Sequence, residues 1–204
     1  MAFIIGICGG SGAGKTTLAN RLKDIFKDDL TIIQFDNYGM DHSSLPMEER
    51  VSLNYDIPSA YDGQLLSKHI QSLKKNKTID RPCYDFKMHT RTKETVEVKA
   101  SKVIVIEGIM CFAFIDLFKN YDLRVFVDAK EETRFKRRKR RDMVERGRSE
   151  ESITKQFYST VKPMHDIYIE PHKVKSDFLF DNDNDNGLDE KQVEKLVNLI
   201  REEM

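Results

Sequence analysis

Eight residues, Gly9-Gly10-Ser11-Gly12-Ala13-Gly14-Lys15-Thr16, fit the pattern G-x-x-x-x-G-K-[ST] without a mismatch. These residue types at this spacing suit the cradling of a phosphate chain. Glycine admits φ > 0, so successive backbone N–H groups converge on one concavity that suits phosphate oxygens. Lys15 would reach the β- and γ-phosphates and the Thr16 hydroxyl would ligate Mg²⁺, so Gly9 to Thr17 is the expected nucleotide-binding segment. A helix opening near Lys15 would add the positive end of its dipole.

Two carboxylates stand at strand ends. Val103-Ile104-Val105-Ile106 is an apolar run closed by Glu107, where an acid beside a phosphate loop holds Mg²⁺. Asp36 closes Leu30-Thr31-Ile32-Ile33-Gln34-Phe35. Ligands of open α/β sheets bind outside the carboxyl ends of strands, so Asp36 points into the same crevice. There it could take the proton of an attacking hydroxyl, or simply cap the turn into Asn37; position alone leaves both open. Thr16, Glu107 and Asp36 are the expected metal set.

Arg134 to Arg148 carries nine Lys/Arg against two acids, Asp142 and Glu145. A solvated helix face is one reading, though like charges so dense repel one another. A nucleic-acid surface is a second. The third is a lid over about 134–150 whose arginines close on a transferring phosphoryl group, a task that suits the bidentate guanidinium. Balanced charge over the chain, 34 basic against 34 acidic residues, favours the lid and gives no reason to expect nucleic acid.

Alternating elements must position these groups. Strand-like runs recur at 3–8, 30–35, 103–106, 123–127 and 178–180, with helical patterns at 16–26, 63–74, 131–144, 150–161 and 188–200. The alternation predicts an α/β fold: a mostly parallel five-stranded sheet, right-handed crossovers and helices on both faces. About 78–100 reads as a small β-insertion, because Thr95 to Lys99 alternates and Arg81 to Phe86 is extended around Pro82. A length of 204 residues suits one such domain spanning 1–204. No apolar stretch approaches a membrane span, and the apolar start runs directly into the glycine loop, unlike a signal peptide. Three cysteines without metal spacing predict free thiols and a cytoplasmic setting. Asp181 to Gly187 lacks the Gly and Glu spacing of a calcium loop and reads as a polar turn. Asn76-Lys77-Thr78-Ile79-Asp80 is one residue too long for a guanine-reading N-K-x-D.

Further blocks carry a resemblance: Asp36-Asn37-Tyr38, Asn54 to Asp62, Tyr84-Asp85-Phe86-Lys87-Met88-His89-Thr90-Arg91, Glu107-Gly108-Ile109, Phe126-Val127-Asp128, Arg141 to Arg148, and Val161-Lys162-Pro163-Met164. With the phosphate loop, and in this order over nearly the whole chain, they resemble the uridine kinase family of P-loop kinases. The resemblance implies a P-loop NTPase fold with an Arg-rich lid, and phosphorylation of the 5′-hydroxyl of uridine or cytidine by ATP, with GTP the other possible donor. It implies Asp36 as catalytic base, with Lys15, Arg138 and Arg141 serving phosphoryl transfer. Tyr38, Asp56, Tyr84, His89, Arg138, Arg148 and Gln156 would hold the nucleoside. A homotetramer is implied by the same analogy. Two positions depart from the family pattern: Gly39 replaces a second aromatic after Tyr38, and Ile57 replaces a His after Asp56. Other readings are a P-loop kinase of a sugar phosphate or pantothenate, or a nucleotide-binding ATPase associated with nucleic acid.

Overall fold

The computed structural model describes residues 2–184 and 187–203. Seven strands are present among them: β1 (Phe3–Cys8), β2 (Leu30–Gln34), β3 (Ile79–Asp85), β4 (Thr90–Val98), β5 (Val103–Glu107), β6 (Leu123–Asp128) and β7 (Phe178–Asp181). Five form a parallel sheet in the order β2-β5-β1-β6-β7. The central strands are apolar on both faces because helices cover both. Ile5, Ile7, Val103 and Val105 pack against α1 (Lys15–Phe26) and α8 (Glu190–Glu202) through Leu18, Leu22, Val193 and Ile200. Ile4, Cys8, Ile104 and Ile106 face α3 (Gly63–Lys74) through Leu66, Ile70 and Leu73. Each fully buried aliphatic side chain contributes about 1.5–3 kcal/mol before entropy is counted.

The remaining helices are α2 (Met47–Ser52), α4 (Ile115–Phe118), α5 (Glu131–Arg146), α6 (Glu150–Gln156) and α7 (Lys162–Tyr168). Gly147, at φ 64, ends α5 by an N–H bond to the Asp142 carbonyl. The Ser149 side chain caps α6. The helical pattern read at 150–161 runs on through a π-helical turn, Phe157–Val161, into α7. Pro163 stands two residues after that turn inside the unbroken helix, where a residue that donates no N–H goes with a local departure from α-helical winding. Asp189 caps α8 by accepting from the Lys191 N–H at 2.9 Å, so that helix starts two residues later than its apolar pattern. Of the polar turn expected at 181–187, Asp185 and Asn186 lie outside the described residues.

β3 and β4 pair antiparallel as a separate hairpin whose register shifts between Pro82 and Tyr84, where proline has no N–H for the ladder. Arg91 fastens the hairpin to the turn after β2: Nε donates to the Gly39 carbonyl at 2.9 Å and Nη2 to that of Tyr38 at 3.1 Å. Thr90 adds bonds to Asp41 and to the His42 N–H. These contacts place Tyr84 and His89 over the carboxyl end of β2.

His165 on α7 is buried, with Nε2 3.1 Å from Glu170 Oε2. Burial, helped by nearby Arg134, pushes its pKa down to about 4, and Glu170 is too solvated to offset this. The unfolded chain takes up a proton near pH 6.5 that the folded protein refuses, so this group's contribution is full above that pH and is lost as pH falls towards 4. Between pH 7 and 5 it accounts for about 2 kcal/mol of lost stability. Urea denaturation at both pH values is expected to show a smaller loss in His165→Gln than in the wild type; equal losses would exclude the assignment.

Candidate active site

The loop from Gly9 to Lys15 leaves β1 and enters α1 with three glycines in the region L side chains avoid: Gly9 (φ 147), Gly12 (φ 83) and Gly14 (φ 105). At Gly12 a Cβ would lie 2.2 Å from the Arg134 carbonyl oxygen, so α5 presses directly on the loop. Gly10 and Gly14 are equally confined, since a Cβ would lie 2.6 Å from the Arg134 guanidinium and 2.2 Å from Asn182 Nδ2, so no side chain fits at these positions and the loop backbone keeps its path. Lys15 is buried and its Nζ donates to the Gly10 carbonyl at 3.0 Å across the mouth of the loop. Thr16 Oγ1 donates to Glu107 Oε1 at 2.9 Å, and burial raises the Glu107 carboxyl above its usual range. Hydroxyl and carboxylate oxygens are hard donors that fit Mg²⁺. Among the described residues no group of three or more His, Cys, Asp or Glu stands together as a metal cage. Thr17 is exposed on the first turn of α1, outside the cleft walls.

A cleft of about 320 Å³ opens beside the loop. Ser11, Lys15, Thr16 and Glu107 form its donor end, with Asp36 between the two ends. Asp36 lies in a 3₁₀ turn after β2, and its buried Oδ1 has no hydrogen-bond partner. The acceptor end is aromatic: the Tyr55 ring stacks on His89 at 5.5 Å, Tyr84 meets Phe86 edge-on at 5.3 Å, and Arg146 covers Phe86 at 4.8 Å. Burial, then the cations of Arg148 and Arg146, lower the His89 pKa and favour the neutral ring. Asp56 is buried; desolvation raises its carboxyl and the Arg138 charge opposes this.

Arg138 joins the two ends. Its Nη1 donates to Ser11 Oγ at 2.7 Å and its Nη2 to Gln156 Oε1 at 2.9 Å. Arg148 Nη1 reaches the same Gln156 oxygen at 2.5 Å. Arg141 also lines the cleft, with its guanidinium turned to Asp142 at 2.8 Å. The basic tract is thus no uniform solvated face. Arg134 and Arg138 are buried, and Arg137 donates to the Asn182 carbonyl at 3.0 Å.

The structure gathers Asp36, Asp56, Tyr84, His89, Arg138, Arg141, Arg148 and Gln156 into this cleft. It does not bring in Tyr38, which is fully buried in the core with its hydroxyl 2.9 Å from His69 Nδ1. In a 3₁₀ turn, residues two apart diverge, so Asp36 and Tyr38 face different ways. Tyr55 and Arg146 are cleft residues not singled out from the sequence, although each stood in a quoted block beside one that was. Gly39 leaves no hole: a Cβ there would lie 2.5 Å from Tyr84 Cε2, because that ring rests on the glycine.

A parallel sheet with a glycine loop between β1 and α1, a Thr–Glu pair and an arginine-rich cleft defines a phosphate-loop phosphotransferase. Residues 4–188 match the Phosphoribulokinase / Uridine kinase family, and the chain belongs to it. It is 46% identical over 177 residues to a uridine kinase of Clostridium novyi, covering 86% of this chain and 85% of that one. It is 42% identical over 187 residues to a uridine kinase of Lactobacillus helveticus, covering 91% and 89%. The phosphoribulokinase of Rhodobacter spheroides shares the fold at 12% identity and a TM-score of 0.66, covering 88% of this chain and 70% of that one.

Proposed function

We propose that this protein transfers the γ-phosphoryl group of ATP to the 5′-hydroxyl of uridine or cytidine. The observation that carries the reading is a buried carboxylate oxygen of Asp36, free of any partner, between a phosphate cradle and an aromatic acceptor wall. The uridine kinases above, 46% and 42% identical to this chain, support the same reading.

Asp36 accepts the hydroxyl proton as the phosphoryl group leaves ADP. Asp56, steadied by Arg138, accepts hydrogen bonds from the ribose hydroxyls. Tyr55, Tyr84 and His89 offer planes for stacking a pyrimidine, and Gln156 with Arg148 offers polar contacts at its edge. Lys15, Arg138 and Arg141 spread the negative charge of the transferring group, in a cleft from which the lid at about 134–150 excludes water. Thr16, Glu107 and Asp36 would hold Mg²⁺, which would supply charge neutralisation for the phosphate chain. The free thiols, two of them buried, support a cytoplasmic setting.

The test is coupled ADP release with ATP or GTP and with uridine, cytidine, ribulose 5-phosphate, pantothenate or no acceptor. Uridine and cytidine are expected to stimulate release above all others. ADP release that ignores every small acceptor and rises with RNA would overturn the reading.

A further inference from the structure

The run from Arg138 to Arg148 sets one carboxylate, Asp142, among cations. On α5, Arg138 and Arg146 lie one turn before and one turn after Asp142 and share its face. The αL turn at Gly147 then reverses the chain, and the Arg148 N–H donates to the Asp142 carbonyl at 3.2 Å. That reversal carries the Arg148 guanidinium back to the same carboxylate. Asp142 is consequently fully buried, with N···O distances of 3.5 Å to Arg138, 2.8 Å to Arg141, 3.6 Å to Arg146 and 3.6 Å to Arg148. All four arginines line the cleft, whereas Asp142 stands behind them.

We propose that Asp142 is a positioning residue, which fixes these four guanidinium groups along the cleft before any nucleotide binds, Arg138 and Arg141 where the phosphoryl group will pass and Arg146 and Arg148 beside the acceptor. A purely stabilising role explains the arrangement poorly, since buried ion pairs add little net stability against well-packed apolar side chains. The contacts also have an unusual grading. Only Arg141 hydrogen-bonds the carboxylate, through Nε and Nη2 to Oδ1, while the other three stay at ion-pair distance and keep N–H groups for other partners. Arg138 spends its own on Ser11 of the phosphate loop and Arg148 on Gln156, so a single anion touches the groups that organise both ends of the cleft. With Asp36, Asp56 and Glu107 counted beside Asp142, the four guanidiniums with Lys15 and Lys87 still leave a positive surplus around the cleft, which an incoming phosphate chain neutralises. Burial raises the Asp142 carboxyl, but Arg141, Arg138 and Arg146 outweigh it and hold the group ionised.

This role rests on the phosphoryl-transfer reading, but one readout is independent of it. Asp142→Asn keeps the shape and removes the anion. Per folded enzyme, kcat with ATP and uridine is expected to fall ~10–100-fold as the arginines lose their spacing. Affinity for inorganic sulfate, measured calorimetrically without nucleotide or acceptor, is expected to rise ~3-fold or more because the cations are no longer balanced. Asp142→Glu keeps the charge and moves it by one methylene, so wild-type sulfate affinity with kcat lowered ~3–10-fold is expected, and this variant decides if the Asn variant does not fold. Unchanged kcat in either variant, or a loss in Asp142→Asn with unchanged sulfate affinity, overturns the proposal. Should no nucleoside be phosphorylated by the wild type, the function falls and the sulfate comparison still decides Asp142.

Discussion

Asp36→Asn is expected to lower kcat ~10²–10⁴-fold while leaving the dissociation constant for ATP within about threefold of wild type. The side chain keeps its volume and its place in the turn Phe35–Tyr38, so the pocket remains intact. What it loses is the ability to take a proton from the acceptor hydroxyl. The Asp36 oxygen that has no partner in the structure is the one available for that proton, and an amide offers a much poorer base there. The groups that would contact phosphate directly are the loop and Lys15, and the amide keeps one oxygen for the Mg²⁺ that Asp36 would share with Thr16 and Glu107. Single-turnover kinetics with a nucleotide titration separates the two quantities. Near-normal turnover in this variant would remove Asp36 from the role of base.

The sheet was largely legible because its strands are short apolar runs at regular spacing. The helix Gly63–Lys74 begins and ends where its helical pattern does, and the structure adds an Asp62 cap that accepts from the Leu65 N–H. The short helix Met47–Ser52 was not legible: it has six residues, none buried, and so carries no periodic apolar signal. The continuation through Pro163 was also hidden, because proline usually marks a helix boundary, whereas here it follows a π-helical turn within an unbroken helix.

The cleft was legible where a residue's place follows from the glycine motif or a strand end, as for Lys15, Thr16 and Glu107. It was illegible where direction depends on local winding. Tyr38 sits two residues from Asp36, yet its turn sends it to His69 in the core, which no spacing rule foretells. Gly39 shows the same limit from the other side. In sequence it stands only as a departure from the family pattern, whereas in the structure the Tyr84 ring, from a hairpin far along the chain, lies against it. Charge counting likewise marked the tract from Arg134 to Arg148 without separating buried guanidiniums from exposed ones, a distinction that depends on which side of α5 meets the phosphate loop.

Arg138→Gln is expected to lower kcat/KM for the nucleoside ~10²–10³-fold, with Arg138→Lys recovering only a small part of the loss. The guanidinium is buried, bonds Ser11 on the donor side and Gln156 on the acceptor side, and lies beside Asp56 and Asp142. Removing it leaves two buried carboxylates short of a cation, and the larger penalty falls on Asp56, which desolvation already pushes towards its neutral form. A protonated Asp56 presents one acceptor oxygen fewer to the ribose. Lysine restores charge but not the fork: its single ammonium cannot hold Ser11 and Gln156 in the fixed geometry that two guanidinium nitrogens provide. The loss in the Gln variant is therefore expected to ease as pH rises, because higher pH returns Asp56 to its charged form, whereas in the wild type Arg138 already favours that form. Measurement of kcat/KM for uridine from pH 6 to 9 in wild type and both variants tests this. A Lys variant with wild-type kcat/KM would show that charge alone is required, and a Gln variant with an unaltered pH profile would remove Asp56 from the explanation.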